Sequence, residues 1–260
     1  MSAQAHPPDE SFAEFTLAAY TDLCRAAKAR YEFLRFTDDP DRPGVLWRHD
    51  VDVSLVQAAR IARIEADLGI VATYYFLPHS RYYNLWAPDS VAAAREIVAL
   101  GHDAGLHFDP TFYDDNLVVT EYEDLAAAER AWLAQLLGCA VDSVSFHQFG
   151  VLQETPPDGR VVAGMINAYG SAIAAGFRYV SDSNGVWRFD NLHDVVAAGL
   201  DDRLHALTHP VWWSETAMPP RRRLQQCIDD AAKAMGDWHD DLTLHYGRPN
   251  IDIHGERGAR

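Results

Sequence analysis

Two periodicities of apolar side chains alternate along this chain. Short stretches in which apolar residues run together or recur at every second position read as strands: residues 31–36, 44–53, 71–77, 105–108, 141–149, 177–182 and 204–210. Between them lie longer stretches whose apolar residues recur every three to four positions, which predicts helices over 11–30, 54–68, 90–100, 120–137, 165–175, 192–200 and 219–235. The helical stripes supply candidate core residues: Phe12, Phe15, Leu17, Tyr20 and Leu23 in the first, Ala58, Ile61, Ile64 and Leu68 in the second, and Leu125, Ala128, Trp132 and Leu136 in the fourth. Ser54 is placed to cap the second helix, Gly69 and Gly101 to end the second and third, and Thr120-Glu121-Tyr122-Glu123 has the form of a capping box. Strands that alternate with helices predict parallel βα units, and so an α/β fold that is either a barrel or an open wound sheet.

Neither a linker nor an internal repeat divides the chain, so a single domain is expected. Residues 1–43 would pack on a central unit spanning 44–235, and 236–260 would form a polar tail. At 260 residues and 48% apolar content the chain can bury a full core. Its net charge of −16, with Lys28 and Lys233 as its only lysines, argues against nucleic acid and anionic membranes as partners. Cys24, Cys139 and Cys227 are far apart and form no CxxC pair, so they read as packing thiols in a reducing compartment. The first ten residues have neither a basic region nor an apolar run, and no stretch is apolar enough to span a bilayer. A cytoplasmic location is the expectation.

The chemistry begins in the second strand. In Gly44-Val45-Leu46-Trp47-Arg48-His49-Asp50-Val51-Asp52-Val53, an apolar strand acquires two carboxylates at its end. Side chains alternate along a strand, so Asp50 and Asp52 share one face while His49 and Val51 take the other. Two neighbouring carboxylates inside a fold repel each other unless a cation or a shared proton neutralises them. A structural alternative pairs one carboxylate with Arg48 and uses the other as a helix cap. Further along, His107, Asp109, His147, Asp182 and His209 also fall where predicted strands end. Strand ends of a parallel sheet converge at one rim, so these carboxylates and imidazoles can meet there. Mixed Asp/His ligation suits Zn²⁺ or a similar divalent ion.

The order of these motifs resembles the polysaccharide deacetylase (NodB-homology, carbohydrate esterase family 4) superfamily. Trp47 to Asp52 is similar to its first motif, which implies that Asp50 is the catalytic base and Asp52 a metal ligand. Gly101-His102-Asp103-Ala104-Gly105-Leu106-His107 resembles the second, with His107 as a ligand. Ser145-Phe146-His147-Gln148-Phe149-Gly150 stands in the place of the third, Tyr179 to Trp187 resembles the fourth at Asp182 and Trp187, and Leu207-Thr208-His209 the fifth, with His209 as the catalytic acid. The resemblance covers about 45 to 213 and implies a single-domain, distorted (β/α)7 barrel. Its substrate would be a carbohydrate or sugar intermediate, such as one of surface-glycan assembly, and its reaction the metal-dependent removal of an N-acetyl or similar acyl group.

One position departs from the family. The second metal histidine would fall on Thr111, so a ligand must come from elsewhere. His147, standing where the third motif would offer an arginine, is the first candidate, and Asp109 is the alternative. The expected metal site is therefore Asp52, His107 and His147, with Zn²⁺ as the expected ion. In the implied reaction Asp50 takes a proton from water, His209 protonates the departing amine, and Asp182 orients His209. Tyr82, Tyr83 and Trp86, in a loop with His79 and Arg81, are candidates to stack on a sugar ring, as are Trp187, Trp212 and Trp213. His102, Asp103 and His49 read as structural. Two other functions compete: amide hydrolysis of a non-sugar compound, and a barrel that binds a glycan or partner without turnover.

Overall fold

A computed structural model of the chain describes residues 9–113, 119–147, 159, 161–248 and 251. The strand that carries the two carboxylates lies near the middle of one sheet. This strand, β2 (Gly44–Val51), has every residue buried. With β1 (Phe33–Leu34), β3 (Thr73–Phe76), β4 (Asp103–Phe108), β5 (Val141–Phe146), β6 (Val161–Val162), β7 (Met165–Asn167), β8 (Arg178–Ser183), β9 (Val186–Trp187) and β10 (Arg203–Thr208), it forms a sheet ordered β6-β7-β5-β4-β3-β2-β10-β8-β9, with β1 beside β2. Neighbours from β7 through β8 all pair in parallel, and only the outermost pairs, β6/β7 and β8/β9, are antiparallel. The result is the α/β architecture expected from the alternating periods. The expected barrel is not closed by any strand pairing among the described residues: β6 and β9 end the ladder, and each is held by one partner.

Helices α1 (Leu17–Lys28), α2 (Leu55–Asp67), α3 (Pro88–Ala99), α4 (Val119–Leu137), α5 (Ser171–Gly176), α6 (Leu192–Ala198) and α7 (Pro220–His245) connect and cover these strands. Ser54 caps α2, accepting from Gln57 N at 3.2 Å. All five core candidates of the first helix are buried, although Phe12 and Phe15 sit in a 3-10 turn before α1. Three expectations differ. The stretch at 165–175 is not one helix: it divides into β7 and α5, and Gly170 stands at the start of α5. The buried stripe of α4 is Tyr122, Ala126, Glu129, Leu133 and Leu137, and Ala128 faces solvent. The last helix runs on through Gly236 to His245, so part of the expected tail is helical. The side chain of Thr120, on which the capping box depends, lies outside the described residues.

Behind β2, on the face opposite its carboxylates, is a polar network. Glu65 of α2 is fully buried and accepts from the hydroxyls of Tyr20 and, at 2.5 Å, Tyr74, and from His49 Nε2 at 2.8 Å. His49 Nδ1 meets Thr208 Oγ1 at 2.9 Å. His49 and Thr208 are register partners in β2 and β10, so this bond fixes the two strands against each other one residue before Asp50 and His209. His102 is equally structural, with Nδ1 accepting from Ala72 N at 3.2 Å and Nε2 donating to Ala62 O at 2.9 Å. Among the described residues, no helix is long and apolar enough to cross a membrane.

Gly105 of β4 lies against Tyr75, so that a Cβ there would overlap the Tyr75 ring. Overpacking a core typically costs about 1–3 kcal/mol. Gly105→Ala is therefore expected to lower the midpoint of thermal unfolding, and an unchanged midpoint would show that the β3–β4 packing is looser than described.

Candidate functional site

The functional candidates come from the carboxyl ends of five different strands. Asp50 is the penultimate residue of β2 and Asp52 follows it; His107 lies near the end of β4, His147 just after β5, Asp182 near the end of β8, and His209 just after β10. The His147 backbone N–H donates to Phe108 O at 2.8 Å, continuing the β5–β4 ladder and carrying the imidazole to the same rim as His107. Asp182 is held by a two-residue hairpin, in which Asn184 and Gly185 take the left-handed conformation (φ 53° and 72°) that joins β8 to β9.

The alternation of β2 puts Arg48 beside Asp50. Arg48 is fully buried and shares its Nη2 among Asp50 Oδ2 at 2.8 Å, Ser145 Oγ at 3.0 Å and the Tyr169 hydroxyl at 2.8 Å. Its guanidinium lies 5.1 Å and 4.6 Å from the ring centres of Tyr75 and Tyr169. Burial pushes the Asp50 carboxyl up, but the Arg48 guanidinium, with His107 and His209, outweighs it and holds it below the usual carboxylate range. The structural alternative is thus correct for Asp50, which is paired with Arg48. The other half is not, because Ser54 caps α2 and Asp52 is left for another use.

Asp52 points at two imidazoles. Its Oδ1 lies 3.2 Å from His107 Nε2 and 3.6 Å from His147 Nδ1, and those two nitrogens are 3.2 Å apart. Oδ1 is buried and lacks a hydrogen-bond partner of good geometry among the described residues. Ligands at about 2.0–2.2 Å from a tetrahedral ion stand roughly 3.3–3.6 Å from one another, which is the size of this triangle. The residues therefore fit a divalent ion. The orientation of His107 suits the role too, because Nδ1 meets Ser145 Oγ at 2.9 Å, which leaves Nε2 toward the cluster. Burial alone would raise the Asp52 carboxyl, but the imidazoles of His107, His209 and His147 bring it well below the usual range. Burial lowers His147, and the neighbouring His107 charge adds to that. Asp109 does not join the cluster: its Oδ1 accepts from Thr111 N at 3.0 Å and Thr111 Oγ1 at 2.6 Å, capping the turn after β4. Thr111, in the position where the resemblance places a second histidine, thus ties down the alternative ligand.

On the far side of Asp52 is a His–Asp pair. Asp182 is buried and accepts from His209 Nδ1 at 2.5 Å and from the His209 backbone N–H at 2.9 Å. Burial would lower the His209 imidazole, but the Asp182 carboxylate, with Asp52 and Asp50, pushes it up to about 10. His209 is consequently an imidazolium at neutral pH. Its Nε2 lies 3.8 Å from Asp52 Oδ2.

The aromatic candidates divide. Tyr82 and Trp86 are exposed, and Trp86 leans on Trp132 with ring centres 4.4 Å apart. Tyr83 is a structural residue: its hydroxyl donates to Val51 O at 2.6 Å and accepts from Leu77 N at 3.1 Å, bracing the end of β2. Trp187 is partly buried and stacked on Phe15 at 5.0 Å, Trp213 is fully buried, and the partly buried Trp212 packs close to Gly185. These rings build the packing behind Asp182 and His209. Sequence reasoning missed Glu65, Tyr169 and Ser145, and named Arg48 only as a salt-bridge partner; the place of Ser145 two residues before His147 is the signal that could have found it.

No protein-family model and no curated protein sequence matches the chain. Among solved structures it is similar to a CE4-family pseudoenzyme from Bacillus anthracis (16% identity, TM-score 0.41, covering 75% of this chain and 63% of that one). It is also similar to a peptidoglycan deacetylase from Bacillus subtilis (13%, TM-score 0.47, 80% and 100%). A third is the chitin deacetylase of the fungal pathogen Colletotrichum lindemuthianum (14%, TM-score 0.44, 73% and 83%). The match spans less than two thirds of the pseudoenzyme chain.

The geometry predicts that the protein takes up about one equivalent of Zn²⁺ or a similar ion, read by mass spectrometry of the purified protein. Asp52→Ala and His147→Ala should each lose it, and Asp109→Ala should keep it. Retention by His147→Ala would remove that imidazole from the ligand set.

Proposed function

We propose that this chain is a metal-dependent hydrolase that removes an N-acetyl or similar acyl group from a carbohydrate. The observation that carries this reading is the Asp52–His107–His147 triangle, of a size to hold a divalent ion, with a buried carboxylate on one side and an imidazolium on the other. Zn²⁺ suits two imidazoles and a carboxylate and is the ion proposed. Bound there, such an ion supplies Lewis acidity, polarising an amide carbonyl and making water acidic enough to react at neutral pH.

The protein's own groups do the rest. Arg48 occupies Asp50 Oδ2, so Oδ1, buried and unpartnered among the described residues, is the oxygen left to receive a proton. The lowered Asp50 pKa keeps that oxygen ionised at neutral pH. Ser145 links His107 Nδ1 to Asp50 Oδ2, at 2.9 and 3.4 Å, and holds the ligand and the base in one arrangement. On the other side, His209 is anchored through Nδ1, so Nε2 carries the proton that can pass to a departing amine. Amide hydrolysis needs this second group, because an amine leaves poorly as an anion. The carbohydrate substrate rests on the motif resemblance, and the exposed Tyr82 and Trp86 offer faces on which a sugar can stack.

Acetate release from N-acetylated sugars by the metal-loaded protein tests the reading. Asp50→Asn should cut turnover by roughly 10²–10⁴-fold with metal retained, as expected for a lost general base. Asp182→Asn should likewise weaken turnover more than metal binding. Equal loss of metal and turnover in Asp182→Asn would count against its role in orienting His209, and wild-type turnover in Asp50→Asn would remove Asp50 as the base.

A further inference from the structure

Phe112 is a large apolar side chain left 55% exposed, in the turn that follows β4. Its ring stacks on the imidazole of His79 with centres 3.5 Å apart and planes 6° from parallel. His79 in turn is fixed from behind. Its Nε2 donates to Glu129 Oε1 at 3.0 Å, and the Tyr113 hydroxyl donates to the same oxygen. Glu129 stands in the otherwise apolar buried stripe of α4, a costly place for a carboxylate. Through Oε1 it holds the two rings that flank Phe112, His79 and Tyr113. This support borders the candidate metal site: Ser80, next to His79, donates from its hydroxyl to Asp52 O at 2.7 Å. The result is an exposed ring held flat on a rigid base, in the loops of the two strands that follow β2 in the sheet.

We propose that the Phe112–His79 stack is a binding platform for the apolar C–H face of a sugar ring, adjoining the ring whose acyl group is removed. This rests on the carbohydrate reading above and adds a subsite to it. A flat aromatic ring offers a sugar a broad contact that excludes water and loses little rotamer freedom on binding. Glu129 acts as a positioning residue, through His79.

The probe is the β-1,4-linked tetramer of N-acetylglucosamine, titrated calorimetrically into metal-loaded Asp50→Asn protein, which keeps the ligand intact. Phe112→Ala in that background should weaken binding by roughly five- to tenfold, the scale of one aromatic contact. Phe112→Trp should restore it, and Glu129→Gln should weaken it with Phe112 still present. Thermal unfolding of each variant separates a lost contact from a lost fold, since Phe112 is at the surface. Equal affinity with and without the Phe112 ring overturns the platform, as does failure of the tetramer to bind at all. Neither result touches acetate release from N-acetylglucosamine itself. Conversely, Phe112-dependent binding by a wild-type protein that releases no acetate would sustain the platform and remove the hydrolase.

Discussion

Two carboxylates two residues apart at the end of a fully buried strand must be neutralised by something, and the two are neutralised differently. Asp50 takes a permanent cation from its own strand, because the two-residue period that sets it on the inner face sets Arg48 there as well. Asp52, one step further toward the rim, has no such partner and faces imidazoles from β4, from the residue after β5 and from the residue after β10. The division has a chemical consequence. A carboxylate bound to arginine stays ionised and keeps one oxygen free, which suits a base. A carboxylate among imidazoles can serve as one member of a metal-ligand set.

Such a site works only if strands distant in sequence keep a fixed register, and the opposite face of β2 supplies that. Glu65 gathers two tyrosine hydroxyls and His49, and His49 reaches Thr208 across the β2–β10 ladder. The bond between His49 and Thr208 lies one residue behind both Asp50 and His209, so the proposed base and the proposed acid are positioned by the residues that precede them in their strands. A shift of one residue in that register would turn every side chain of β10 to the other face and remove His209 from the rim.

Much of this was legible in the chain because it follows from short-range periodicity. The alternation in β2 identifies the inner face, and the placement of His107, His147, Asp182 and His209 at strand ends brings them to a common rim. What was not legible depends on contacts that no local pattern encodes. Glu65 sits in an apolar helical stripe and reads as an exposed glutamate until Tyr20, Tyr74 and His49 arrive from three other elements. Tyr83 reads as an open ring of an aromatic loop, whereas its hydroxyl is spent on the backbone of β2. The segment at 165–175 has enough alanine to suggest a helix, yet Met165–Asn167 finds an edge of β5 to pair with, a tertiary gain that outweighs local preference. Asn184-Gly185 is a hairpin pair that the sequence reading passed over, and it places Asp182 opposite Trp187.

The proposed hydrolysis depends on whether Asp52, His107 and His147 hold a divalent ion. The direct measurement is anomalous diffraction from crystals of the zinc-loaded protein, with the ion located independently of any assumed ligand. One ion within about 2.0–2.2 Å of Asp52 Oδ1, His107 Nε2 and His147 Nδ1, with Asp50 and His209 outside that shell, is the result predicted. An ion bound elsewhere, or held at the rim by Asp109 in place of His147, would contradict it.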